Sequence, residues 1–352
     1  MKINILALGD RFSAAYQSIE HELINKGNIR YKHENSFKNV ADAIEYIKTS
    51  SPLINLVVMP NPYGNKRRMF IYKELKELQF PVVVFDRGAL PDSWFFDTGF
   101  NSDSDSYHPL VWDKTLEQEV KNNIINYIDN VKETGKSLEE QGDRIGGKQL
   151  REELGLEGKK IIFIPFQRPE DTVIKFFSNG YNTFINEIDN LQKYLQKVLG
   201  EEWVILAKKH PLETSHPTSS ISFVDDNTNV YDLIELSEYV VLINSGVGVL
   251  SMLWEKPVLY FGETFYGHKN INISVSSYKD VLYHIKKGFQ VDKDSVYKFI
   301  AHLRNSVYSF GNFETEKVLQ KDGSYRNITR YIDFYQVRFP NSENLIKKKF
   351  YL

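Results

Sequence analysis

Residues 203–262 constrain the fold more than any other stretch, because they place two ligand-competent loops at the ends of adjacent predicted strands. Trp203 to Ala207 reads as a short buried strand, and Lys208, Lys209, His210 and Pro211 follow where it should end. Further on, Tyr239 to Ile243 reads as a strand and Asn244-Ser245-Gly246-Val247-Gly248 as a turn. A helix to Trp254 and a strand from Pro257 to Phe261 complete a βαβ unit.

In open parallel sheets, ligands collect beyond the carboxyl ends of the strands, where a glycine turn and a helix start can meet an anion. Ser245, Gly246 and Gly248 occupy that place, with Asn244 at the strand exit, and His210 and Lys208 could donate to the same phosphate. A lone turn of this kind would read as an ordinary strand-to-helix connection. Two of them at neighbouring strand ends favour a binding site.

At 352 residues, the chain exceeds what one core usually serves, so two domains are expected. Its 44 basic and 46 acidic residues leave a net charge of -2, which gives no global field for nucleic acid and makes any anion site local. The absence of cysteine excludes thiol catalysis, disulfides and cysteine-ligated metal, and fits a cytoplasmic chain. MKINILALGD lacks a signal-peptide pattern, and no apolar run approaches the ~20 residues of a membrane helix.

Ile3 to Leu8 reads as a strand, followed by a helix over 12–26 carried by Phe12, Tyr16, Ile19, Leu23 and Ile24. Helix, strand, helix and strand then follow, ending with Pro81 to Phe85, so the class is alternating α/β. Residues 86–107 carry neither helical nor strand periodicity and read as a long functional loop. Asp86 leaves the strand end directly, either as a carboxylate facing an interdomain cleft or as a turn residue bonded to its own backbone.

A helix over 113–131 precedes the polar stretch ETGKSLEEQGDRIGGKQ, which has linker composition and places the boundary near 140–150. The expected division is 1–145, 146–310 and a tail over 311–352 that packs back on the first domain. Lys159 to Pro165 opens the second domain and runs into Gln167 and Asp171, again at a strand end. Asp171 reads either as a reactive carboxylate or as a helix N-cap. Phe265 and Tyr266, in the loop after Gly262, could flank a base or sugar, although loop aromatics more often pack. In the tail, Ile328, Tyr331, Ile332 and Tyr335 suggest an amphipathic helix. The terminal KKK before Phe350 reads as a solvated tail, with peripheral contact to the inner membrane face as the alternative.

Three blocks resemble the bacterial capsule polysaccharide synthesis proteins, which include retaining β-Kdo transferases using CMP-Kdo. FIPFQRPEDTVI is similar to that family's QxxxD segment. AKKHP, with INSGVGVLSMLWEKPVLYFGETFY, resembles its Lys-x-His-Pro and Asn-Ser-x-x-Gly blocks. FDRGALPDSWFFDTGFNSDS resembles its acidic-x-Gly-x-Leu-Pro loop, with Asp86 where glutamate is common.

The resemblance implies a GT-B architecture, two Rossmann-like domains facing across a cleft, with a CMP-sugar donor held mainly by the second. It also implies catalysis without a cofactor or metal. Asp103 and Asp105 form a D-S-D spacing that reads as loop solvation. On this reading, Asp171 is the nucleophile of a double displacement, Gln167 orients it, and Asp86 is the base for a saccharide or glycolipid acceptor. Lys208, His210 and the Ser245–Gly248 amides would stabilise the leaving phosphate. Two alternatives stay open. One is a CDP-glycerol-type polyol-phosphate transferase, for which His216 and His268 offer a second histidine. The other is a non-catalytic nucleotide-sugar-binding partner of a capsule assembly.

Overall fold

The computed structural model of the chain describes residues 3–136, 139, 141–321, 323 and 325–340, so the KKK tail lies outside the described residues. The strands are β1 (Ile3–Leu8), β2 (Gly27–Lys32), β3 (Leu56–Pro60), β4 (Val82–Arg87), β5 (Ser93–Asp97) and β6 (Lys160–Pro165). Then come β7 (Trp203–Lys208), β8 (Tyr239–Leu242), β9 (Val258–Tyr260), β10 (Asn272–Ser274), β11 (Tyr308–Leu319) and β12 (Tyr325–Gln336). They form a seven-stranded sheet in the order β12-β11-β5-β4-β3-β1-β2 and a five-stranded sheet in the order β10-β9-β8-β6-β7.

The second sheet is parallel throughout. Its interior strand β6, between β8 and β7, is apolar on both faces: Ile161 and Phe163 join one core cluster, Ile162 and Ile164 another. Strands covered on both sides need such a continuous apolar run. Helix 181–199 covers one face because Phe184, Ile188, Leu191 and Leu195 recur at helical spacing and are buried. In the first sheet, β2, β1, β3 and β4 are parallel, whereas β5, β11 and β12 continue it antiparallel. Each lobe is thus a Rossmann-like sheet clad by helices, and the two face each other across a cleft, which is the GT-B architecture.

Several local expectations need correction. The stretch 86–107 contains β5, whose five residues are all buried; with both faces covered, no polar alternation marks it. β2 is a polar edge strand, GNIRYK, and carries no apolar run to announce it. The tail is a strand rather than a helix. Ile332 is buried, but Tyr331 and Tyr335 stand exposed on a ribbon paired with β11. Its richness in aromatic and β-branched residues was the better signal than the i, i+3, i+4 spacing. Phe12 and Ile24, placed on the buried face of the first helix, are both exposed; that helix starts at Ala14, capped by Ser13.

Candidate active site

Each sheet reverses its strand order once, between β1 and β3 in the first lobe and between β6 and β8 in the second. Such reversals open a crevice at the carboxyl ends of the strands. Gln167 follows β6 and Asn244 follows β8, and their side chains close the second crevice from below. Gln167 Nε2 donates to Asn244 Oδ1 at 3.0 Å, and the Asn244 N–H donates to Gln167 Oε1 at 3.1 Å. Asn244 Nδ2 also donates to the carbonyls of Val173 and Phe177, which fixes the segment carrying Asp171.

Above this pair lies a cavity of about 440 Å³ between the lobes. Asp86, Gln167, Asp171, Lys208, His210, Asn244, Ser245, Gly246 and Phe265 all line it. Ideal Cβ geometry at Gly246 would bring it within 3.6 Å of Ala89, so the second lobe's glycine turn sits directly against the first lobe.

Asp171 occupies the N-cap position of helix 172–176, but its side chain makes no capping bond. The backbone carbonyl alone serves that helix, accepting from Ile174 and Lys175 at 3.0 Å. A carboxylate at this position ordinarily caps; here it remains at the cavity wall. Burial pushes its pKa up to about 6, against the lowering effect of Arg168 and of a backbone hydrogen bond there.

His210 accepts the Leu212 N–H at Nδ1, 3.1 Å away, so the neutral ring carries its proton on Nε2. Burial, with Arg168, Lys209 and Lys208 nearby, depresses its pKa to about 4. His210 is therefore a neutral hydrogen-bond donor near pH 7. Lys208 lines the cavity while its ammonium donates to the Asp226 carbonyl, and burial lowers its pKa to about 8.

Asp86 lines the cavity as the cleft reading expects, but it does so from within β4 rather than from a turn. Its Oδ1 accepts the neighbouring Arg87 N–H at 2.8 Å, while Oδ2 accepts from Asn61 Nδ2 at 2.9 Å. Burial raises its pKa despite these bonds. Glu139, also on the cavity wall, has its pKa raised by burial and lies 3.7 Å from Arg87.

No protein-family profile matches the chain, and no curated protein matches it in sequence. Solved structures do. KpsC from Thermosulfurimonas dismutans, in its β-Kdo 2,4 transferase structure, superposes with a TM-score of 0.58 at 13% identity, covering 92% of this chain and 95% of that one. The β-Kdo 2,7 transferase structure of KpsC from the same organism gives a TM-score of 0.54 at 15% identity, covering 100% and 99%. The chain has the KpsC fold.

Within that fold, two expected donor contacts are corrected. Tyr266 is fully buried, and its hydroxyl donates to the Ser245 carbonyl beneath the turn, so it cannot flank a bound base or sugar. Gly248 does not line the cavity: its N–H donates to the Ser245 carbonyl at 3.0 Å, and a Cβ there would fall 2.5 Å from the Tyr266 ring. The glycine exists to admit the tyrosine. Phe265 reaches the cavity but packs against Tyr107, ring centroids 4.6 Å apart. Asp103 and Asp105 are both exposed, as loop solvation requires, and Asp103 also accepts from the Tyr72 and Tyr63 hydroxyls, which ties down its loop.

His216 stacks on Phe223 and His268 packs between Trp112 and Phe299, and neither lines the cavity. Sequence reasoning missed Asn61, Glu139 and Arg168. Asn61 did carry a signal: it directly follows the apolar run ending at Met59 and Pro60, at the first lobe's own crevice.

Proposed function

We propose that the chain is a retaining glycosyltransferase that moves β-Kdo, or a related 2-keto sugar acid, from a CMP-activated donor to a saccharide acceptor of surface polysaccharide. The observation that carries this is Asp171, a carboxylate at a helix start that leaves the cap unmade and lines the interlobe cavity with His210. The fold shared with the KpsC β-Kdo transferases supports the substrate class. CMP-sugar and acceptor would meet on the cytoplasmic side.

In the first step, an Asp171 oxygen bonds to the anomeric carbon as the bond to the CMP phosphate breaks, and the electron pair leaves on the phosphate. The His210 Nε2–H donates to that phosphate without carrying charge, which suits a site where three cationic side chains already lie nearby. Among the turn amides, those of Val247 and Gly248 are spent on Ser245, so less of the phosphate charge falls on the turn than the glycine pattern suggested. Gln167, locked to Asn244, holds the floor under the sugar. In the second step, an acceptor hydroxyl gives its proton to Asp86 and displaces Asp171, restoring the original configuration.

Asp171→Asn should bind CMP by calorimetry at near wild-type affinity while losing transfer by at least about a thousandfold. Mass spectrometry of the wild type with donor alone should find one sugar mass on the peptide bearing Asp171. Retained transfer in the asparagine variant would remove the nucleophile assignment.

A further inference from the structure

Asn61 stands at the end of β3, at the order reversal of the first sheet, and every polar atom of its side chain has a defined partner. Its Oδ1 accepts the Tyr63 N–H at 3.0 Å. Nδ2 therefore has to face the other way, and it donates both to Asp86 Oδ2 at 2.9 Å and to Thr172 Oγ1 at 3.1 Å. Thr172 belongs to the second lobe and is the residue next to Asp171. One amide group thus touches a carboxylate of one lobe and the segment bearing the carboxylate of the other.

The backbone of Asn61 is held as firmly as its side chain. Arg68 Nη1 donates to the Asn61 carbonyl at 3.0 Å, and Arg68 Nη2 meets Glu34 at 2.6 Å. Glu34 is completely buried. A buried charge is retained only with a partner, and this pair positions Arg68, which in turn sets the asparagine.

We propose that Asn61 is a positioning residue for transfer, holding the Asp86 carboxylate in register with the Asp171 segment so that acceptor deprotonation and release from Asp171 occur in one geometry. The inference rests on the functional reading given above. In the step it serves, the acceptor oxygen forms its bond to the anomeric carbon, its proton passes to Asp86, and the bond to Asp171 breaks with the electron pair returning to that carboxylate. The donated hydrogen bond also favours the charged form of Asp86, which the step needs and burial opposes.

The other groups facing Asp86 are accounted for. Arg87, on β4, and Arg326, on β12, are the cations that favour its ionised form. Glu139 lies beyond Arg87, and Asp171, Lys208 and His210 share the cavity. Loss of the Asn61 bond removes one stabilising contact and leaves these charges in place. The Asp86 pKa then rises further, and the acid limb of transfer moves to higher pH.

The test uses Asn61→Ala, the isosteric Asn61→Asp, and Thr172→Val, with melting temperature and CMP affinity confirming that each variant is folded. Both Asn61 variants should form the donor adduct as wild type does, yet transfer to acceptor with kcat lowered about ten- to hundredfold and donor KM little changed. Their acid limb, and the titration of the Asp86 carboxyl carbon assigned by its loss in Asp86→Asn, should move up by on the order of one pH unit. Thr172→Val should slow transfer without moving that titration. Unshifted Asp86 titration together with wild-type kcat in both Asn61 variants would overturn the proposal. A shifted titration with no adduct in the wild type would sink covalent catalysis instead and leave the positioning role standing.

Discussion

An ionised carboxylate at residue 171 is kept at a cost. Its folded pKa, about 6, exceeds its ordinary value, so between those two the folded chain binds more protons than the unfolded one. The sign follows: Asp171 stabilises the fold least above pH 6, and stability rises as pH falls through about 6 toward the ordinary carboxylate range. Asp171→Asn removes the buried charge and should raise the melting temperature at pH 7.5 by on the order of 2 °C, with the advantage vanishing near pH 4. Calorimetric scans of both proteins across that range check it; an asparagine variant less stable than wild type at pH 7.5 would contradict the burial argument. His210 has the opposite sign. Its folded pKa, about 4, lies below the usual value, so its contribution is intact at neutral pH and declines as pH falls from about 6.5. At this scale the sequence was informative about residue type and place, since Gln167, Asp171, His210 and Asn244 all stand at strand ends in the pattern. For Asn61 it offered only a place at a strand end and no partners, since those lie 25 and 111 residues away.

Among the elements, the Asn244–Gly248 turn is the most tightly determined. Gly248 lies in the first turn of the helix 247–253 against the hydroxyl end of Tyr266, and a methyl group there would have to displace a fully buried ring. Gly248→Ala should cost about 1–3 kcal/mol in urea unfolding and weaken CMP binding through the displaced Ser245 carbonyl. An alanine variant with unchanged stability would mean that Tyr266 can move, and would reopen its role at the ligand. The ribbon of β11 and β12 carries the other element-level lesson. Its twelve-residue strands extend the first sheet, and at the far end the Tyr325 N–H donates to the Leu212 carbonyl of the second lobe, two residues past His210. A helix of the same sequence would be far too short to make both contacts, at ~1.5 Å per residue against ~3.3 Å.

For the whole molecule, the lobes are joined around the cavity by polar contacts as well as by a shared apolar cluster running from Leu6 through Phe177 to Tyr266. Asn101 is one such latch. Its Oδ1 accepts the Phe265 N–H and its Nδ2 donates to the Glu263 carbonyl, both at 3.1 Å, while Ser102 donates to the Glu263 carboxylate at 3.0 Å. Asn101 also adopts a left-handed φ of 53°, which asparagine tolerates better than most residues. Asn101→Ala should lower stability by about 1–2 kcal/mol and raise KM while lowering kcat, because loosened lobes hold the two half-sites in register less often. Small-angle scattering should register a larger radius of gyration for that variant; unchanged scattering with unchanged kinetics would place the latch elsewhere.

What the sequence determined by itself was the local physics. Apolar runs bounded by glycine, proline and charge marked most of the parallel strands, and helix 181–199 rests on the same kind of local signal, Phe184, Ile188, Leu191 and Leu195 at helical spacing. The strand-end rule then put the polar side chains of the second lobe near one another. What only the tertiary structure decided was everything that depends on contacts across the chain. The antiparallel strands β5, β11 and β12 were hidden because burial on both faces, or pairing at an edge, erases or mimics the periodic signal. Whether Asp171 would cap its helix or stay uncapped at the cavity wall was equally beyond local pattern, since both outcomes use the same residue at the same position. The difference lies in the cleft, where Asn244 from one strand end bonds the Val173 carbonyl and Asn61 from the opposite lobe bonds the Thr172 hydroxyl, holding the two residues that follow Asp171.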